Sequence, residues 1–195
     1  MPAAAHPPSF LAYYKPTSRG TDDERLDERE LPRPKQGRWI DVAALDPKTS
    51  GLLVLTTDGE LAHALMRSGL VLERLFAVRL AGEPSDGQIE RLLAGVDLED
   101  GSFRAASIER AGGSAVNIWY HVLVRESRHR GLRAAFASVG LSVNRVIRTR
   151  YGPIELGKLR RGQHRPLDPV EVSALYEVAG LRPLRTRTHR GKKVK

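Results

Sequence analysis

Between Leu45 and Ala62 the chain reads Leu-Asp-Pro-Lys-Thr-Ser-Gly-Leu-Leu-Val-Leu-Thr-Thr-Asp-Gly-Glu-Leu-Ala, an order that few folds accommodate. The apolar run Leu52 to Leu55 is closed on both sides by turn formers, which is the signature of a short buried strand. Thr57-Asp58-Gly59-Glu60 has the spacing of a capping box. A helix is therefore predicted to start there and to turn Leu61, Ala62 and Leu65 inward. Asp46 stands before the strand in a Pro- and Gly-containing turn, where a side chain can point from the sheet edge into a cleft. Taken alone, that spacing favours an Asp that stabilises its own turn.

The rest of the chain alternates strands and helices irregularly. Phe10 to Tyr14 reads as a first strand, followed by a polar loop from Thr17 to Gly37. Glu73 to Leu80 is predicted as a strand with Leu75, Ala77 and Leu80 on one face. Ser85 caps a helix to Leu93 that Gly95 ends. Ser102 to Glu109 and Asn117 to Val124 form an antiparallel pair turning through Ala111-Gly112-Gly113-Ser114. Arg130 to Val139 is helical by the spacing of Leu132, Ala135, Phe136 and Val139. Val143 to Arg150 and Ile154 to Leu159 return to strand and turn. This order implies an α+β fold with a mixed or largely antiparallel sheet. One domain over residues 9–180 is expected, its halves meeting near Gly69. Leu181 to Lys195, rich in Arg and Lys without an apolar face, is expected to be a disordered basic tail.

Charge narrows the partner. The chain has a net charge of +9 and a pI near 10.2, a balance that favours polyanions. Eleven cations from Arg125 to Arg165 face only Glu126 and Glu155. This concentration points to RNA. Cysteine is absent, which excludes disulfides and thiolate metal sites. No apolar run approaches the ~20 residues that cross a bilayer, and Met1 to Pro8 does not resemble a secretory signal. The six histidines form no His-x-x-x-His pair, and no phosphate or dinucleotide loop is present. The expectation is a cytoplasmic monomer with no metal and no membrane contact.

Leu-Asp-x-x-Thr-Ser-Gly-Leu-Leu-x-Leu-Thr-x-Asp-Gly-Glu-Leu-Ala resembles the catalytic motif of the bacterial rRNA pseudouridine synthases that modify single uridines. Tyr14-Lys15-Pro16, Gly37-Arg38-Trp39-Ile40, Trp119-Tyr120-His121-Val122, Glu126-x-Arg128-x-Arg130, Arg148-x-Arg150-Tyr151-Gly152-Pro153-Ile154, and Arg161-Gly162-Gln163 with Leu167 follow the family's motifs in order. The resemblance implies a bent central sheet with outer helices and a cleft between two halves. It implies isomerisation of a uridine in ribosomal RNA, a reaction without redox or phosphate energy and so without a cofactor. It makes Asp46 the reacting carboxylate, as nucleophile or as base. Arg133 becomes its cation, and Phe76 the ring that packs against the flipped base. Lys15, Lys48, Arg128, Arg130, Arg148, Arg150 and Arg160 are the expected RNA contacts.

The chain also departs from the family pattern. Ala43-Ala44 replaces the usual Gly-Arg before Leu-Asp, Phe76 replaces Tyr, and Gly131 breaks the Glu-Gly-Arg-Asn-Arg segment's continuation. Met1 to Ser9 is too short for the N-terminal RNA-binding module that most relatives carry. Two readings follow: an active synthase with altered target recognition, or a weakly active or inactive relative that binds RNA as a ribosome-assembly factor.

Overall fold

The computed structural model describes residues 7–17, 31–67, 70–99, 101–114, 116–125 and 131–182. The strand predicted around Leu52 is β3, Thr49–Thr56, and all eight of its residues are buried. It pairs antiparallel with β1, Phe10–Lys15, on one side. On the other it pairs parallel with β9, Val143–Tyr151, at Thr49 to Gly51. Beside β9 lies β4, Arg74–Leu80, then β8, Asn117–Val124, and β7, Ala105–Ser114, all antiparallel. The short strands β11, His164–Pro166, β2, Ile40–Asp41, and β10, Ile154–Glu155, complete the mixed sheet. A separate small ribbon pairs β5, Val96–Leu98, with β6, Gly101–Phe103.

Alternation along β1 and β3 explains why both are buried on both faces. Leu11, Tyr13, Leu53 and Leu55 join one apolar cluster, whereas Ala12, Tyr14, Leu52 and Val54 join another. The first cluster is closed by α2, Asp86–Ala94, and α3, Leu132–Ser138, through Leu92, Leu132, Ala135 and Phe136. The second is closed by α1, Gly59–Met66, and α4, Pro169–Val178, through Leu61, Leu65, Leu175 and Tyr176. The result is an α+β fold with cores on opposite faces of one sheet. Gly51 lets β3 and β9 meet: at φ +115°, a Cβ there would lie 2.3 Å from the Arg148 carbonyl oxygen.

Several local expectations change. Asp58, not Thr57, caps α1, its side chain accepting from the Leu61 N–H at 3.0 Å. Tyr176 O–H donates a short hydrogen bond to the same carboxylate, tying α4 to α1. On β4 the buried set is Arg74, Phe76, Val78 and Leu80, the opposite phase to Leu75 and Ala77. The β7–β8 pair continues to Ser114 opposite Asn117, so the glycines lie within the strand. Helix α4 is an element that the sequence reading does not predict. It is capped by Asp168 with Glu171 in a full capping box and begins with Pro169. Gly69 and the tail beyond Arg182 lie outside the described residues. Among those residues, no helix is long and apolar enough to cross a membrane.

Candidate active site

Asp46 holds its turn and faces a cleft. One carboxylate oxygen accepts from the N–H groups of Lys48 and Thr49, each at 2.9 Å, and the other from Thr49 Oγ1 at 2.6 Å. Three donors within three residues fix the carboxylate's orientation before any ligand arrives. The cleft is lined by Leu45, Asp46, Thr49, Phe76, Leu132, Arg133 and Val146. The three residues expected to act together, Asp46, Phe76 and Arg133, are thus brought together from a turn, from β4 and from α3.

Arg133 reaches the turn but makes no ion pair with Asp46. Its guanidinium donates to the carbonyls of Val143 at 3.0 Å and Lys48 at 3.1 Å. Burial draws its pKa down, and the charge of Asp46 acts in the other direction. A half-buried cation so placed meets a negative charge in the cleft without having to be reorganised. Phe76 is 2% exposed and presents an apolar wall opposite.

The remaining carbonyls of the turn are held from beneath. Lys15 Nζ donates to the carbonyls of Asp46 and Thr49, both at 3.2 Å, and of Pro16 at 3.3 Å. Arg148 donates through Nε to the Leu52 carbonyl at 2.8 Å and through Nη2 to that of Ala43. Tyr151 O–H donates to the Val42 carbonyl at 3.3 Å. Tyr151 is itself flanked by Arg148 and Arg74, each guanidinium carbon 5.3 Å from the ring centroid. Asp41, whose carboxyl burial pushes up in pKa, accepts from the Ala43 N–H and counters the charges of Arg148 and Lys15. Burial in turn lowers Arg148 to about 10.

Two expected RNA contacts are therefore corrected. Lys15 is buried with its ammonium committed to backbone carbonyls, and Arg148 is 0% exposed. Neither presents its charge to a phosphate; both hold backbone carbonyls in and around the Asp46 turn. The signal was in the pattern, since Arg148 shares strand parity with inward-facing Val146. Of the other expected contacts, Lys48 and Arg160 are exposed. Arg150 is partly exposed and paired to Glu73 at 3.1 Å. Arg128 and Arg130 lie outside the described residues. Thr49, Asp41 and Tyr151 were not expected at the site; the Asp-x-x-Thr spacing, an Asx-type turn, carried the signal for Thr49.

A crystal structure of a pseudouridylate synthase superposes with a TM-score of 0.72 at 23% identity, covering 86% of this chain and 74% of that one. The archaeal box H/ACA sRNP Nop10–Cbf5 complex superposes at 0.56 and 18% identity, covering 90% and 59%. The fold is that of the pseudouridine synthases. No protein-family model matches the chain. Among curated proteins, ribosomal large subunit pseudouridine synthase B of Pseudomonas aeruginosa is 47% identical over 156 residues, 79% of this chain and 40% of that protein. Its namesake of Escherichia coli K12 is 41% identical over 179 residues, 89% of this chain and 62% of that protein. That of Vibrio cholerae is 41% identical over the same length, with 89% and 56% covered. The chain belongs to the pseudouridine synthase family. It spans 40 to 62% of the length of these relatives.

Proposed function

We propose that this chain is an RNA pseudouridine synthase that isomerises a uridine of ribosomal RNA, working as a monomer in the cytoplasm through a single catalytic domain over residues 9–180. The observation that carries the proposal is a carboxylate, Asp46, pre-oriented in a cleft between a buried ring and a half-buried guanidinium. Isomerisation breaks the bond from ribose C1′ to uracil N1 and makes one from C1′ to C5. The C5 proton leaves and N1 gains one, so no electron or phosphoryl donor is consumed and no cofactor is needed. Asp46 acts at the sugar or as the base toward it. Arg133 compensates negative charge during the exchange, and Phe76 packs against the extruded uracil. Exposed Lys48 and Arg160, partly exposed Arg150, and Arg128 and Arg130 contact the phosphates. With Ala44 where relatives place an Arg, target recognition is altered toward uridines already unpaired.

Tritium release from RNA labelled at uracil C5 tests the reading. The chain should release tritium, and Asp46→Asn should abolish release while its urea midpoint and RNA affinity stay near those of the parent. An Asn variant with full turnover would remove Asp46 from the chemistry. RNA binding without release by the parent chain would replace the enzyme with a non-catalytic assembly factor.

A further inference from the structure

The segment leading into β2 forms a groove that the reaction does not use. Leu31, buried at 7% exposure, makes its floor. Pro32, Pro34 and the ring of Trp39 line it. Trp39 Nε1 donates to the Pro32 carbonyl at 2.7 Å, closing the loop on itself. The ring packs against the core containing Leu31, so the groove is preformed. Its volume is about 460 Å³. Arg33 and Arg38 line it, Lys35 is exposed on the same loop, and no carboxylate is among the described lining residues. None of these three cations forms an ion pair among the described residues.

We infer that this groove is a second RNA site that takes a single-stranded nucleotide flanking the target uridine. The inference rests on the RNA reading above. The chemistry is that of a single-strand platform: an aromatic wall on which a base stacks, with guanidinium groups that pair with no described carboxylate set beside it for the phosphates. A carboxylate-lined groove would repel the phosphates, and a wholly apolar one would leave them without a cation. Position supports the same occupant. Ile40 pairs with Thr56, at the end of β3 opposite Thr49 and the Asp46 turn. Seven strand steps at about 3.3 Å place the groove roughly 23 Å from the turn. Stacked nucleotides rising about 3.4 Å each would span that in about seven residues. An RNA held at both points is bound by a length of strand as well as by one uridine.

The chain has two tryptophans, Trp39 and Trp119, so Trp119→Phe leaves Trp39 as the sole emitter. A single-stranded dodecaribonucleotide should quench it saturably, whereas a blunt RNA duplex and polyphosphate should not. Arg33→Glu/Arg38→Glu, on exposed side chains that leave the packing of Trp39 intact, should weaken dodecamer binding roughly tenfold and flatten the log–log salt slope by about 1.4. In turnover assays the same pair should raise KM on a target stem-loop carrying a ten-nucleotide single-stranded flank. The unflanked stem-loop should show unchanged KM, and kcat should stay constant on both. No quenching by the dodecamer, or equal quenching by polyphosphate, overturns the site. An equal KM change on both substrates overturns it as well. Absence of any turnover would overturn the enzymatic reading instead, leaving the quenching and salt-slope results to decide the groove.

Discussion

Arg148→Met isolates the charge that sits beneath the Asp46 turn. The side chain is 0% exposed and supplies donors to the carbonyls of Leu52 and Ala43, while its charge offsets that of Asp41. Burial lowers its pKa to about 10, so the native state carries a penalty on the charged form. Methionine fills similar space and relieves that penalty. It also leaves two carbonyls without their donor, at ~1–3 kcal/mol each, and deprives Asp41 of its strongest cation. The losses exceed the relief, and removal of one partner from a buried pair costs ~3–5 kcal/mol in comparable settings. The expected destabilisation is about 3 kcal/mol, a large fraction of the ~5–15 kcal/mol of an ordinary domain. Urea denaturation at pH 7 reads it as a lower midpoint at unchanged m-value. Asp41→Asn combined with Arg148→Met should cost clearly less than the sum of the single changes, because each then lacks the charge it balanced. Tritium release should fall through kcat more than through KM, since the displaced turn carries Asp46. A single variant within about 1 kcal/mol of the parent would refute the anchor and show that Lys15 and Tyr151 suffice.

Gly51→Ala should destabilise by about 3 kcal/mol or more, because its Cβ would enter the Arg148 backbone at a positive φ; thermal melting checks this. The Arg165 guanidinium hydrogen-bonds the Glu171 carboxyl at 2.6 and 2.7 Å and holds it below the usual carboxylate range. A depressed native value means that the pair stabilises the fold above about pH 4.5 and stops doing so as pH falls through the native value. Glu171→Gln should therefore lose about 1 kcal/mol at pH 7 and show a shallower acid limb in a pH series of urea melts. Ala44 is exposed at the turn. Ala44→Arg should raise kcat/KM more on a stem-embedded uridine than on a loop uridine, and equal gains would mean that base extrusion is not limiting.

What the sequence disclosed depended on whether local chemistry or distant packing decided the matter. The turn, β3, α1 and the Ser85-capped α2 were readable because caps and apolar runs are local signals. The phase of β4 was not, since Leu75-Phe76-Ala77-Val78 is apolar at both parities. The deciding neighbour, Arg74, is buried beside Tyr151, 77 positions away. Helix α4 had its signals in place, Asp168 with Pro169 and Glu171, but they went unread because the matched motifs end at Leu167. Lys15 and Arg148 were misread because a cation in a basic chain suggests surface, and only the carbonyls converging from the turn reveal otherwise. Asp46, Phe76 and Arg133 converge for a reason no spacing states: β4 is reached from β3 through β9.

The placement of the two cores on opposite faces has a consequence for how such a protein can change over time. Residues on α1 and α4 answer to one slab, and those on α2 and α3 to the other. The strands that feed both slabs end at the Asp46 turn. Substitutions that reshape an outer helix or loop to suit a different RNA are absorbed within their own slab, and the carboxylate keeps its position. The outer elements are free to diversify except where α3 carries Leu132 and Arg133 into the cleft, while the seam is held from both sides.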